Sequence, residues 1–214
     1  MAHKDTPHRI LPNKSRPPSA AVENAREIAL LASPARIEIV DTLEALGEAV
    51  TVAELAARLG RAADGLYYHL RQLAAGGLIE ERLDGDGRRY RTRSRGNDRL
   101  RLRYRPGATA NARAVRDVVG SVLRVAGRDF TRALADPATV VEGPQRELWA
   151  SRGKAWVSEA ELAEINRLLV RLRDLVQRPR KQPQGKLIAL SWVLAPLEAK
   201  PARRPAKTAR SAKK

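Results

Sequence analysis

Residues 51–93 read TVAELAARLGRAADGLYYHLRQLAAGGLIEERLDGDGRRYRTR, and this stretch decides the fold. Thr51 and Glu54 have the spacing of a capping box, in which two side chains satisfy backbone donors at a helix start. Apolar residues then recur at helical spacing before Gly60, and again before Gly76 and Gly77. The first set is Val52, Leu55, Ala56 and Leu59, and the second is Leu66, Leu70 and Leu73. Two helices joined by a short glycine turn are predicted to form a helix-turn-helix.

A hairpin follows the second helix. Residues 78–83 and 88–93 flank the sequence DGDG at 84–87, where Gly and Asp allow the backbone angles of a tight turn. The hairpin is the wing of the domain.

The order of these parts resembles the winged helix-turn-helix domain of ArsR-type bacterial transcriptional regulators. The resemblance begins at LASPARIEIVDTLEALGEAVTVAELAARLG (31–60) and continues through YYHLRQLAAGGLIEER (67–82) into the hairpin. It implies a mostly α fold with small β (α+β), in which a winged helix-turn-helix domain precedes a helical or α+β dimerisation or effector region. It also implies a sequence-specific DNA-binding regulator, a repressor, that acts as a homodimer.

Two helices are predicted upstream of this stretch. The first runs from Ala20 to Leu31, and Ser33 with Pro34 starts a second that continues to Leu46. The second helix points Ile37, Val40, Leu43 and Leu46 inward. In the family that the chain resembles, the second helix packs under the helix-turn-helix, and the first often contributes to a dimer.

The charge of the chain indicates a polyanionic partner. Its 214 residues carry a net charge of +17, with a pI near 11.1, and both nucleic acid and an anionic membrane fit these values. No run approaches the roughly 18 apolar residues of a membrane-spanning helix, and the N-terminal sequence lacks an apolar signal core. We therefore expect a cytoplasmic protein that is not a membrane protein.

Catalytic and metal chemistry find little support. The chain has no Cys, and its three histidines, His3, His8 and His69, have no ligand partner at helical spacing, although a carboxylate metal site stays open. Phosphate loops, dinucleotide loops and HExxH motifs are missing, and no Ser lies beside a suitable His. The sequence predicts no enzyme and no cofactor.

Arginine is dense after the turn of the hairpin. Between residues 88 and 105 it occupies nine positions against one acid, Asp98, a density that implies a nearby polyanion. Within this run Leu100, Leu102 and Tyr104 alternate with arginines, which predicts a half-buried strand with a cationic face.

The candidate DNA-binding residues come from the second helix and the wing. In a helix-turn-helix the second helix enters the major groove. The outward positions of this helix are predicted to be Ala63, Asp64, Gly65, Tyr67, Tyr68 and Arg71. The wing contributes Arg88, Arg89 and Arg91. Because the helix opens with AADG rather than the Ser, Thr or Gln common in ArsR-type proteins, specificity is expected to lean on wing arginines that sense groove shape. His69 is expected to pack rather than read bases.

The C-terminal region is predicted from periodicity. A helix should run from Asn111 through Leu134, and a capping box at Ser158 and Glu161 should open another to Gln177. The second has apolar residues at the three-four spacing of a helix-helix seam, namely Leu162, Ile165, Leu169, Leu172 and Val176. The sequence KLIALSWVLAPL (186–197) is predicted to be a buried strand, which would complete a small α+β unit. Trp149, Trp156 and Trp192 could line an effector pocket, but core or dimer contacts are favoured.

These patterns divide the chain into four segments. They are a disordered tail at 1–19, a winged helix-turn-helix domain at 20–106, a dimerisation or possible effector region at 107–197 and a disordered basic tail at 198–214. Each tail could hold phosphates or serve only as a solvated terminus.

Three alternatives to a sequence-specific regulator remain. A nucleoid-type architectural protein would coat DNA with little sequence preference. A C-terminal interaction module would recruit another protein. Membrane association is the least favoured, since no apolar insertion face accompanies the basic segments.

Overall fold

The computed structural model describes residues 21–85, 87–93, 100–177 and 185–198. The two predicted tails lie outside these residues, apart from Glu198, as do Arg95, Asp98 and Arg99 of the arginine-rich run. The elements in chain order are β1 (Ala21–Val22), α1 (Ala25–Leu30), α2 (Pro34–Leu46), β2 (Val50–Thr51), α3 (Val52–Leu59), α4 (Asp64–Ala75), β3 (Ile79–Asp84), β4 (Gly87–Thr92), β5 (Arg101–Leu102), α5 (Thr109–Leu134) and α6 (Glu159–Val176). The predicted class, mostly α with small β, is confirmed.

The boundaries of α3 and α4 follow from local chemistry. The Thr51 hydroxyl accepts a hydrogen bond from the Glu54 amide at 3.2 Å, and the Glu54 carboxylate accepts one from the Thr51 amide at 2.7 Å. This is the predicted capping box. Gly60 follows the last residue of α3 and has a φ of 61°, and Gly77 lies just after α4 with a φ of 69°. Both values lie in a backbone region that glycine adopts without strain. The helix-turn-helix is confirmed.

The wing is a two-stranded hairpin joined to one further short strand. The sheet order is β2-β4-β3, and both pairings are antiparallel. Asp84 pairs with Gly87 across the turn, as the DGDG sequence predicts. On the inner face of β4, Tyr90 is buried in the core, so the wing is anchored to the domain at its base.

The core lies around α2. The buried residues of α2 point in more than one direction. Ile37, Val40 and Leu43 are buried as predicted, and Ile39, which was not predicted to point inward, is buried as well. The helices α3 and α4 pack against α2 from one side and α5 packs against it from another. Periodicity predicted only one inward face for α2, since the covering of its second side depends on α5, which is distant in the sequence.

Segments near β1 and β5 differ from prediction. The first helix begins at Ala25 rather than Ala20, because Ala21 and Val22 pair in parallel with Arg101 and Leu102. The predicted strand around Leu102 is only these two residues long, and Tyr104 is exposed. Its pairing is limited by the length of β1, the partner that the sequence did not reveal.

Buried Asn111 fastens the start of α5 to this region. Its side-chain oxygen accepts from the Arg105 amide at 2.9 Å, and its side-chain amide donates to the carbonyls of Glu23 and Arg103, each at 3.2 Å. A buried amide with these partners fixes the entry of the chain into α5.

Polar contacts also join α5 to the helix-turn-helix domain. The hydroxyl of Ser121, which is fully buried, donates to the Ala32 carbonyl at 2.7 Å. Glu38 on α2 accepts from Arg61, in the turn after α3, and from Arg128 on α5, both at 2.5 Å. One carboxylate thus connects three elements. The predicted boundary at residue 107 falls just before a helix whose first half packs on α1 and α2.

The C-terminal region does not form the predicted α+β unit. Helix α6 occupies nearly the predicted range and has the predicted Ser158 capping box, but none of its side chains is buried. The prediction of a buried strand at 186–197 is wrong, because this segment has no strand pairing among the described residues and its side chains are exposed. A continuous apolar run cannot become a buried strand without a neighbouring strand to accept its backbone bonds.

The three tryptophans do not belong to a core within the described structure. Trp156 is 89% exposed and Trp149 is 69% exposed, while Trp192 is 41% exposed. The Arg146 guanidinium lies 4.1 Å from the centre of the Trp149 ring. The favoured prediction therefore fails for core contacts, and the prediction of dimer contacts stays a prediction.

Half-buried His69 packs as predicted for a structural histidine. Its Nδ1 atom is shielded from solvent and has no hydrogen-bond partner among the described residues. Burial lowers the pKa of His69 below its ordinary value of 6.5, and the charges of Arg36 and Arg61 lower it further. The imidazole is therefore neutral at pH 7.

Replacing Thr51 with Ala should lower the free energy of unfolding by about 1 kcal/mol, because the capping hydroxyl at the start of α3 is lost. Thr51→Ser keeps the hydroxyl and should unfold like the wild type. Urea denaturation followed by circular dichroism measures the difference. Equal stability of the Ala and Ser variants would contradict the role of the capping box.

The domain should lose stability as pH falls below about 6.5, because the unfolded chain protonates His69 more readily than the folded chain does. In a His3→Gln/His8→Gln background, His69 is the remaining histidine and its effect can be isolated. Adding His69→Gln should reduce the loss of unfolding free energy between pH 7.5 and pH 5.5. The same loss in both proteins would show that His69 is not the titrating group.

Candidate nucleic-acid interface

The outer surface of α4 is the first part of the candidate interface. Leu66, Leu70 and Leu73 are buried, which leaves the opposite side of the helix toward solvent. Five of the six predicted outward residues are exposed, namely Asp64, Gly65, Tyr67, Tyr68 and Arg71. Ala63 differs, since it is half-buried and packs against the core at the turn before the helix.

The exposed groups of α4 are few and chemically mixed. Tyr67 and Tyr68 place phenol groups at the surface, and the Tyr68 ring meets His69 edge-on with ring centres 5.4 Å apart. Arg71 forms no ion pair with any residue that the structure describes, so its guanidinium is available to a ligand. Asp64 suits the positive end of the helix and repels phosphate. The surface can bind phosphate and offers one strong donor to bases.

The three predicted wing arginines do not share one face. Side chains alternate along a strand, and Arg88 pairs across the hairpin with Leu83 on the same face as buried Tyr90. Arg89 and Arg91 lie on the other face, across from Arg82 and Glu80. The hairpin therefore presents cations on both of its faces.

Carboxylates from other strands and helices pair with these arginines. Arg91 makes two contacts with one oxygen of Glu80, at 2.6 and 2.9 Å. Arg88 lies 2.9 Å from Glu81, and Arg89 lies 3.4 Å from Asp84 and 3.7 Å from Glu54. The sequence suggested that the wing arginines have no acidic partners, because only one acid, Asp98, lies among them along the chain. The hairpin brings acids of β3 beside arginines of β4, which such a count does not detect.

The arginines nearer the domain body have structural partners. Arg93 reaches Glu27 on α1 at 3.3 Å, while Arg103 and Arg105 both pair with Glu23, at 2.5 and 2.6 Å. These pairs join the middle and the C-terminal end of the arginine-rich run to the segment around α1. Because these side chains are partly exposed, each pair contributes little to stability, but together they lower the local positive charge.

Two residues of the wing were missed by sequence reasoning. Arg82 is half exposed on the same face as Arg89, and Leu83 is 83% exposed near the tip. The alternation of side chains over residues 79–84 could have revealed Arg82, which lies on the opposite face from buried Ile79. It could not have revealed Leu83, because Leu83 shares the face of Ile79 and is nevertheless exposed. Their exposure adds one cation and one apolar side chain to the part of the wing that projects farthest.

Burial keeps Tyr90, at the base of the wing, neutral. Burial raises the pKa of Tyr90, and the nearby charge of Glu81 raises it further. The phenol therefore stays protonated at neutral pH. Tyr90 belongs to the same hydrophobic core as Leu66, Leu70 and Leu73 of α4, so β4 and α4 are attached to one core.

Other kinds of site find no support in the described geometry. No three His, Asp or Glu side chains come together as metal ligands would in residues 21–85, 87–93, 100–177 and 185–198. A groove of about 640 Å³ runs along α6, but its walls come from that helix alone, and the tryptophans do not line it. Among the described residues, no helix has an apolar stretch of the length that crossing a bilayer requires.

Comparison with known families agrees with this geometry. Residues 31–82, about a quarter of the chain, match the family model of a helix-turn-helix domain. That range begins just before α2 and ends within β3, so it contains α2, α3 and α4. None of the curated proteins matches the chain. The chain thus contains a helix-turn-helix domain, a module that supports DNA binding and transcription regulation rather than catalysis.

Proposed function

We propose that this protein is a sequence-specific transcriptional regulator of the ArsR type, a repressor that binds double-stranded DNA as a homodimer in the cytoplasm. The observation that carries the proposal is the exposed side of α4 beside a hairpin with cations on both faces, in a chain of net charge +17. A single domain with these two features suits a duplex, which offers a groove for a helix and a phosphate backbone for cations.

In the proposed complex, α4 lies in the major groove. Arg71 donates to guanine or to phosphate, and the hydroxyls of Tyr67 and Tyr68 bind phosphate oxygens. Gly65 allows the helix start to approach the DNA closely, and Asp64 restricts how that end can be placed because it repels phosphate. Ala63 supports the turn rather than touching bases.

The wing supplies most of the electrostatic affinity. A hairpin that enters a minor groove places its faces against opposite walls, and arginines on both faces suit this position. Arg88 and Arg82 are the more exposed cations and can reach phosphate at the surface, although Arg88 lies 2.9 Å from Glu81 and Arg82 lies 3.4 Å from Glu80. Arg91 has to exchange Glu80 for phosphate. That exchange makes the contribution of Arg91 depend on salt and on groove width.

A homodimer gives the regulator its operator geometry. Two recognition helices about 34 Å apart match half-sites one DNA turn apart. We assign the winged domain to residues 20–106, and dimerisation, together with any small-molecule effector, to residues 107–197. Repression follows from the ArsR resemblance.

Replacing Arg88, Arg89 and Arg91 together with Ala should weaken binding to every DNA sequence and flatten its salt dependence. Each lost phosphate contact removes about 0.9 from the slope of log affinity against log salt. Arg116→Ala, an exposed arginine on α5 beside Asp117, is the matched control. Glu80→Gln should strengthen binding because it frees Arg91. Fluorescence anisotropy titrations at several salt concentrations measure these effects, and an unchanged slope in the triple variant would reject the wing as the source of affinity.

The rival function, a nucleoid-type architectural protein, is favoured by the sparse base-reading groups of α4. Competition between selected operator DNA and random DNA separates the two functions. A regulator should keep a preference of about a thousandfold or more, and Arg71→Ala should reduce it. Equal binding of both DNAs, together with uniform occupancy across the chromosome, would establish the architectural function instead.

A further inference from the structure

Helix α6 has an apolar stripe that is not buried by any other part of the chain that the structure describes. Leu162, Ile165, Leu169, Leu172 and Val176 follow the three-four spacing of a helix-helix seam, and Leu168 and Leu175 widen it. Several of these side chains are about half exposed, and none is buried. An amphipathic helix of 18 residues is marginal in water without tertiary packing, so this stripe requires a partner surface.

Charge along α6 is divided by position. The first half carries Glu159, Glu161 and Glu164, whereas Arg167, Arg171 and Arg173 occupy the second half with the acid Asp174. If two copies ran parallel, acidic halves would face each other and basic halves would do the same. If they run antiparallel, each acidic half lies beside a basic half.

We infer that α6 pairs with α6 of a second copy in antiparallel orientation and forms an interface of the homodimer. The inference rests on the proposed function, because the homodimer is part of that function. What the inference adds is the interface that holds the homodimer together. A two-fold axis near Asn166 relates the helices, and such an interface is self-complementary because each residue pair occurs twice.

The register follows from the seam. Leu162 packs against Leu172 of the partner subunit, and Ile165 packs against Leu169 of the partner subunit. At the flank of the seam, Glu159 lies beside Arg173 of the partner subunit. The Asn166 side chain, which donates to the Leu162 carbonyl at 2.8 Å, lies at the flank of the seam near the two-fold axis.

The first test measures the mass of the full-length protein by sedimentation equilibrium without DNA. Leu169→Glu should weaken the dimer about a hundredfold or more, because each dimer would bury two added charges in the seam. Val170→Glu, which introduces the same charged residue at the adjacent exposed position, should leave the dimer intact. Circular dichroism and urea denaturation check that both variants keep the helix-turn-helix domain folded.

The second test reads the orientation, and it uses the absence of Cys from the sequence. Glu159→Cys and Arg173→Cys are prepared separately and then mixed under oxidising conditions. A disulfide-linked dimer in the mixture, with little in either protein alone, is the result expected from antiparallel pairing. Efficient crosslinking of each variant with itself would overturn it.

The outcomes separate this inference from the proposed function. A dimer that Leu169→Glu does not weaken would overturn the α6 interface while DNA regulation by a homodimer stands. A wild-type protein that stays monomeric at all concentrations and still prefers its operator would overturn the interface and the homodimer together, and would assign the stripe to a different protein partner. A wild-type protein that forms the α6 dimer but binds operator DNA and random DNA equally would overturn the proposed function and leave the α6 interface standing.

Discussion

Burial of α2 on two sides is the constraint on which the rest of the structure depends. Ile39 is fully buried together with Ile37, Val40 and Leu43, so the helix cannot leave either neighbour without exposing apolar surface. Glu38 on the same helix holds Arg61 of the helix-turn-helix and Arg128 of α5. The turn between α3 and α4 and the first C-terminal helix are therefore both joined to one carboxylate.

The candidate interface combines a packed scaffold with sparse exposed chemistry. Leu66, Leu70 and Leu73 position α4, and buried Tyr90 positions the wing. Only a few polar groups remain for bases, while arginines on both faces of the hairpin remain for phosphate. Many of these arginines already have carboxylate partners, so the DNA binding that we propose would exchange one anion for another. Such an exchange tempers non-specific affinity in a chain of high positive charge.

Prediction from the sequence was correct for features that are determined by residues close together in the chain. The Thr51–Glu54 capping box, the glycine-terminated helices and the DGDG hairpin were all predicted correctly, since each depends on residues a few positions apart. Prediction was least accurate for strands, which need a pairing strand from a part of the chain that is distant in sequence. The strand around Leu102 is limited by β1, and the apolar segment at 186–197 finds no strand to join among the described residues.

The sequence by itself determined the helix-turn-helix, the wing and the outward set Tyr67, Tyr68 and Arg71, because turn chemistry and hydrophobic periodicity act within short windows. Only the tertiary structure decided that Ala63 packs inward, that Arg88 faces away from Arg89 and Arg91, and that Glu80 and Glu23 pair with arginines of the basic run. These facts depend on cross-strand register and on helix packing. Register and packing join residues that are far apart in the chain, and no local pattern encodes which acid meets which arginine.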